Sequence, residues 1–267
     1  MHPELVRIKN LVIEAAQEEL LPRFNKVSHS FKLDGSVITE ADLVMQERLQ
    51  TALKQAYPSY AFIGEEMTKK EQQQQFILPN TGLWCLDPLD GTSNFSLGIP
   101  CFSVSLALIV NAELVMGVVY DPMRDECFCA QRGAGAWLND EPIQSLQHAA
   151  PEDVGIAIVD FKRLSPELCH RLIEEQPYKS QRSFGSVALD WCWLAASRGH
   201  VYLHGSQNLW DYAAGYLIFR EAGGFAQTFD AEPVFNNSLV PRSAIAALDE
   251  GIYKKWSDWL GVKSQTA

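Results

Sequence analysis

From Pro3 to Leu21 apolar residues recur at Leu5, Ile8, Leu11, Val12, Ala15 and Ala16, the spacing that lines one face of a helix. Pro22 closes this segment because proline cannot donate to the helical ladder. A second helical pattern spans Glu40 to Ala56, just before Tyr57-Pro58. Tyr60-Ala61-Phe62-Ile63 reads as a short strand running into Gly64-Glu65-Glu66. The polar Gln72 to Gln75 run predicts a solvated helix or loop.

Three apolar runs follow, Phe102 to Val110, Leu114 to Tyr120 and Glu126 to Ala130, parted by Asn111-Ala112-Glu113 and Asp121-Pro122. Turn formers between strand-like runs predict an antiparallel meander. Beyond it the pattern predicts a strand at Val154 to Val159, a helix from Pro166 and a helix from Ser186 to Ser197. Val201-Tyr202-Leu203 is strand-like, Trp210 to Ala222 is helical and stopped by Gly223-Gly224, and Phe225 to Phe229 returns as a strand. Helices in pairs alternating with runs of strands point to stacked α and β layers, an α/β class. No internal repeat is evident.

A chain of 267 residues with 47% hydrophobic content can bury a large core. The longest near-continuous apolar stretch, Val104 to Val110, is far too short to cross a bilayer, and the N-terminus lacks a basic segment followed by an apolar block. No membrane association and no targeting are expected. A formal charge of −11 disfavours charge-driven nucleic-acid binding, since there is no net positive field to displace counterions. Cys85, Cys101, Cys127, Cys129, Cys169 and Cys192 mostly sit in apolar segments, and Cys127-Phe128-Cys129 has the spacing of neither a zinc knuckle nor a redox pair. Buried, reduced thiols in a cytoplasmic protein are the expectation.

The densest chemistry lies in Trp84-Cys85-Leu86-Asp87-Pro88-Leu89-Asp90-Gly91-Thr92, where an apolar run delivers two carboxylates into a tight glycine turn. Oxygen ligands without a paired His or Cys suit Mg²⁺, Mn²⁺ or Ca²⁺. Gly91-Thr92 can open a helix whose spare N–H groups face an anion. Asp, Pro and Gly also form ordinary surface turns, so the motif needs partners. Candidates are Glu65-Glu66 at a strand end, which alone could be solvated surface, and Asp211, which could simply cap its helix. Thr39-Glu40-Ala41-Asp42 fits a capping box and a catalytic role equally, and both can hold.

Taken together, Gly64-Glu65-Glu66, Asp87-Pro88-Leu89-Asp90-Gly91-Thr92-Ser93-Asn94-Phe95, Trp210-Asp211 with Ala214-Gly215, and Glu221-Ala222-Gly223-Gly224 resemble the inositol monophosphatase family in order and spacing. The Gly117-Val118-Val119-Tyr120 strand and the Gly133-Ala134-Gly135-Ala136 turn extend the resemblance. It implies a single domain of alternating α-β-α-β-α layers with mixed, mostly antiparallel sheets. A metal-binding α+β lobe would span about residues 1–145 and a C-terminal α/β lobe about 146–267.

The resemblance further implies that Glu65, Asp87, Asp90, Asp211 and the Leu89 carbonyl hold two or three Mg²⁺, with Mn²⁺ as a substitute. Glu65 and Thr92, the latter hydrogen-bonded to Asp42, would prepare the attacking water. Asp90, Gly91, Thr92, Gly185, Ser186, Val187, His204 and Asp211 would bind substrate. The implied reaction is Mg²⁺-dependent hydrolysis of a phosphate monoester, foremost myo-inositol 1-phosphate, by a homodimer inhibited by Li⁺. Four clustered carboxylates agree with this independently, because they would repel one another severely without cations.

One position departs. Counting back from Trp210 places His204 where inositol-specific members carry a Glu that contacts a sugar hydroxyl. His204 could bind a hydroxyl, carry positive charge that favours a second phosphate, or be a plain strand-end residue. Fructose 1,6-bisphosphate, 3′-phosphoadenosine 5′-phosphate and histidinol phosphate therefore remain alternatives, although Thr92-Ser93-Asn94-Phe95 favours a sugar or cyclitol phosphate. The haloacid dehalogenase phosphatases fit less well, since Asp87 and Asp90 are three apart rather than two. A phosphate-ligand sensor or interaction module with the same fold but no turnover is the non-enzymatic alternative.

Overall fold

The computed structural model describes residues 1–26, 29–31, 37–77, 81–143 and 154–263. Helix α1 (Pro3–Glu19) buries Leu5, Ile8, Val12, Ala15 and Ala16, the stripe its spacing predicts. The helix ends slightly early, and Pro22 sits in a following 3-10 turn, Leu21–Arg23, whose first residues need no N–H partner. Strands β1 (His29–Phe31) and β2 (Val37–Thr39) pair antiparallel and lead into α2 (Glu40–Ala56).

Next come β3 (Ala61–Gly64), α3 (Lys69–Ile77), β4 (Leu83–Asp90), α4 (Thr92–Ser96), β5 (Ser103–Val110), β6 (Glu113–Asp121), β7 (Glu126–Gln131), β8 (Gly135–Leu138) and β9 (Glu141–Pro142). β3 to β9 form one seven-stranded sheet in chain order, in which only β3 and β4 run parallel. The predicted meander is its centre.

Side chains alternate between two cores, as the two-residue period of a strand requires. On β4, Trp84 and Leu86 face α1 and α2, whereas Leu83 and Cys85 face the opposite layer. Both faces are covered, which explains why these strands read as near-continuous apolar runs.

The remaining elements are β10 (Ile156–Asp160), α5 (Pro166–Glu175), β11 (Ser180–Arg182), α6 (Val187–Ala195), β12 (Val201–Gln207), α7 (Leu209–Glu221), β13 (Phe225–Gln227), β14 (Arg242–Ala247) and α8 (Glu250–Leu260). A second sheet has the order β11-β10-β12-β14-β13, parallel from β11 to β12 and antiparallel from β12 to β13. Helices α6 and α7 lie between the two sheets, while α5 and α8 contribute Leu172, Ile252, Tyr253 and Trp256 to the core on the far side of the second. The result is the expected α-β-α-β-α layering with mixed sheets.

Helix α7 approaches the first sheet closely at Gly117 on β6, where an added Cβ would lie 2.8 Å from the Ala214 carbonyl oxygen. At its far end, the Glu221 carboxylate accepts the amides of Gly133 and Gly135, each at 2.9 Å. Two motifs far apart in sequence thus meet, and they fasten α7 to the β7–β8 turn.

Some elements differ from the sequence expectation. β11, β14 and α8 were not anticipated; β14, Arg-Ser-Ala-Ile-Ala-Ala, carries little of the β-branched and aromatic signature of a strand. β12 continues past Leu203 through His204 to Gln207. The glutamine run is helical and not wholly solvated, because Gln72 is buried. All six cysteines are free thiols, five buried and Cys169 half-buried. Among the described residues no helix is long and apolar enough to cross a membrane.

Candidate active site

Every residue of β4 is buried, and its last four residues are Asp87-Pro88-Leu89-Asp90. Asp87 pairs with Ser105 of β5 and Asp90 with Ser103, so β4 carries one extra residue over that interval. Residues three apart on a regular strand face opposite sides. The added residue, at a proline with no N–H to contribute, cancels that alternation and brings both carboxylates to the same side. The Leu89 amide donates to Asp87 Oδ1 at 3.0 Å, which holds the bend.

Gly91 then turns the chain with φ 96°, a conformation open to glycine. An added Cβ there would lie 3.0 Å from the Cys101 carbonyl oxygen. Thr92 follows as the first residue of α4. Its Oγ1 lies 3.0 Å from Asp42 Oδ1 and 2.9 Å from the Leu89 carbonyl oxygen. One hydroxyl proton can serve only one acceptor at a time. Ionised Asp42 takes that proton, whereas protonated Asp42 donates to Thr92, which then donates to Leu89.

Asp42 is fully buried on α2, and its Oδ2 accepts the Thr39 amide at 2.7 Å and the Thr39 hydroxyl at 2.6 Å. The capping box predicted at Thr39 is formed. Capping and contact with Thr92 therefore coexist, one on each carboxylate oxygen. Burial pushes Asp42 up to about 6, against the hydrogen bonds from Thr39 and Thr92.

The second set of elements arrives through α6 and α7. Ser186 caps α6, its Oγ donates to Asp90 Oδ2 at 2.7 Å, and the Ala188 amide donates to the same oxygen at 2.7 Å. Asn94 Nδ2 donates to the carbonyls of Cys101 and Phe184, each at 2.7 Å, and so seats Gly185 and Val187 beside the β4 turn. Asp211, at the start of α7, accepts the Asn208 amide at 2.8 Å.

Electrostatics places Glu65, at the end of β3, in the same field. Burial raises Asp87 well above the carboxylate range, and repulsion from Glu65, Asp90 and Asp211 raises it further. Burial likewise raises Asp211, with Glu65 and Asp90 adding to it. Asp90 is pushed up to about 6 by burial and Glu65, opposed by hydrogen bonds from Ser186 and Ala188. Among the described residues no three His, Cys, Asp or Glu side chains form a ready-made metal cage. The donor chemistry nevertheless fits a hard divalent cation, because buried carboxylates that raise one another's pKa gain most from an added positive charge.

His204, expected on the substrate side, packs against protein groups. Its parity with Tyr202 turns it to the inner face of β12, and the side chain is 1% exposed. Nδ1 accepts the Ser206 amide at 3.2 Å, and Nε2 lies 3.0 Å from Asp160 Oδ2. Burial raises Asp160, but His204, the Lys162 amide and Arg163 outweigh it and hold the carboxyl well below its usual range. Arg163 Nη1 donates to the same Asp160 oxygen at 2.9 Å. The sequence alone could not pair Asp160 with His204, because cross-strand register brings them together.

The model of the inositol monophosphatase family matches residues 4–259. The chain belongs to that family. It is similar to inositol monophosphatase 1 of Solanum lycopersicum, with 38% identity over 74% of this chain and 73% of that one. It is also similar to the Nus factor SuhB of Haemophilus influenzae, with 35% identity over 92% of each chain. The structure of the Thermotoga maritima IMPase superposes with a TM-score of 0.82 at 26% identity, covering 97% of this chain and 98% of that one. The family match spans both sheets and every residue of the cluster.

Sequence reading missed the polar side chains bonded around the cluster: Asn94 to the Cys101 and Phe184 carbonyls, Asn208 to Asp211, Gln46 to the Glu66 amide and Gln72 to the Gly64 carbonyl. Asn208 could have been found as the N-cap three residues before Asp211. The glutamines carry no such local signal.

Proposed function

We propose that the protein is a Mg²⁺-dependent phosphate monoester hydrolase acting on a sugar or cyclitol phosphate, with myo-inositol 1-phosphate the foremost candidate. The observation that carries this reading is the burial of Asp87, Asp90 and Asp211 in one cluster, each raised in part by the charge of Glu65, beside the Thr92–Asp42 hydrogen bond. Glu65, Asp87, Asp90, Asp211 and the Leu89 carbonyl are the proposed metal ligands. When bound, Mg²⁺ supplies charge neutralisation at the phosphate and lowers the pKa of coordinated water.

The chain's own groups do the rest. The hydroxyl of Thr92 orients the attacking water, takes up the proton that water loses as it adds and hands its own to ionised Asp42, which returns it through solvent to the departing ester oxygen, while Glu65 holds the water from the β3 side. Amides of Gly91 and Thr92 face the phosphate, and Gly185, Ser186 and Val187 line the substrate side. Water adds in line at phosphorus, the ester P–O bond breaks, and alcohol and inorganic phosphate leave. No phosphoenzyme is formed. His204 belongs to this site through Asp160 and Arg163, since both of its ring nitrogens already face protein groups.

The test is a panel of phosphate monoesters, with Mg²⁺ and with chelator, ranked by kcat/KM. Metal-dependent phosphate release, highest on cyclitol or sugar phosphates, supports the reading. Binding of Mg²⁺ and sugar phosphate without any release refutes it in favour of a non-catalytic ligand-binding protein.

A further inference from the structure

Helix α3 has the sequence Lys-Lys-Glu-Gln-Gln-Gln-Gln-Phe-Ile, and Gln72 is its one buried residue. Phe76, four residues on, is half-buried against the core between the sheets, and Gln72 is the polar contact that sets the helix beside the Glu65 turn. Gln72 is 5% exposed, and its Nε2 donates to the Gly64 carbonyl at 2.8 Å and, more weakly, to the Glu65 carbonyl at 3.4 Å. From the opposite side, Gln46 of α2 accepts the Glu66 amide on Oε1 at 3.1 Å. Partner chemistry sets the orientation of both amides, since carbonyls need the NH₂ of Gln72 and an N–H needs the oxygen of Gln46.

The fit is close. A Cβ added at Gly64 would lie 2.1 Å from Gln46 Oε1, so the glycine is what admits this glutamine. Gln46 stands four residues after Asp42 on α2. One helix face thus reaches Thr92 through Asp42 and the Glu65 turn through Gln46. Both clamping side chains are neutral. They fix the backbone on either side of Glu65 without adding charge to the carboxylate cluster, which neither Lys nor Glu could do.

We propose that Gln72 and Gln46 are positioning residues that hold Glu65 in place for metal binding. This rests on the reading of Glu65 as a ligand. Outer residues of this kind typically change metal affinity 10- to 100-fold.

The experiment measures Mn²⁺ binding, by paramagnetic resonance of free Mn²⁺, in wild type, Gln72→Met, Gln46→Met, Glu65→Gln and Gln72→Met/Glu65→Gln. Methionine keeps the length of glutamine and removes its hydrogen bonds. The expected result is a Kd weakened about 10-fold or more in each methionine variant, with no further weakening from Gln72→Met once Glu65 is already Gln. Affinity within about twofold of wild type in both methionine variants overturns the proposal, as does full additivity in the double variant. Unchanged affinity in Glu65→Gln alone overturns instead the reading of Glu65 as a ligand.

Discussion

Ser186 Oγ donates to Asp90 Oδ2 at 2.7 Å, a bond between residues 96 apart that joins the start of α6 to the end of β4. The same side chain caps α6. Ser186→Ala should cost about 0.5–2 kcal/mol of stability through the lost cap and weaken Mg²⁺ binding through a displaced Asp90. Thermal unfolding and Mg²⁺ titration of activity read the two effects separately. Unchanged Mg²⁺ dependence would restrict Ser186 to the cap.

The metal-free protein should be more stable in mild acid than at neutral pH. Asp42 and Asp90 sit at about 6 in the folded state against an ordinary value of 3.8, and Asp87 and Asp211 are raised as well. A carboxyl whose pKa is raised by folding binds more protons when native. The stability it contributes is full below about 4 and is lost as pH climbs through the folded value. Saturating Mg²⁺ should reverse the trend by favouring the ionised groups and releasing protons. Calorimetric unfolding at pH 5 and pH 8, with Mg²⁺ and with chelator, checks both signs.

Thr92→Val removes the hydroxyl between Asp42 and Leu89, and kcat should fall by about 10²- to 10⁴-fold with little change in the unfolding midpoint. Asp42→Asn keeps an acceptor for the Thr39 amide but loses the base, so turnover should fall similarly. Near-wild-type turnover in Asp42→Asn would leave the residue with its helix cap alone.

Replacing His204 by Glu would set a second carboxylate against Asp160 on a buried strand position. The single variant His204→Glu should lose about 2 kcal/mol or more of stability. His204→Glu/Asp160→Asn should recover much of it. Only in that double variant is the ratio of activity on inositol phosphate to other esters a fair reading of specificity. An equally stable single variant would contradict the coupling between the two residues.

Much of the architecture follows from the sequence for plain reasons. The α1 stripe, the β5–β7 meander and the helical α7 pattern are local periodicities, and each appears where its spacing places it. β14 is illegible in the sequence because this Ala-rich interior strand is held by β12 and β13 on either side, which no local window contains. Gln72 is illegible too because one of four identical glutamines becomes buried only through the position of α3 against the Glu65 turn.

The sequence by itself determined the layered α/β class and the family and nominated the acidic residues, since these rest on local periodicity and on spaced motifs that survive without coordinates. Tertiary structure decided what those residues experience. It placed one extra residue in β4 so that Asp87 and Asp90 share a side, brought Ser186 to Asp90, and turned His204 inward onto Asp160. Burial and cross-strand register are properties of the whole packed chain, so the raised carboxyl pKa values and the neutral clamp on Glu65 exist only once the layers close.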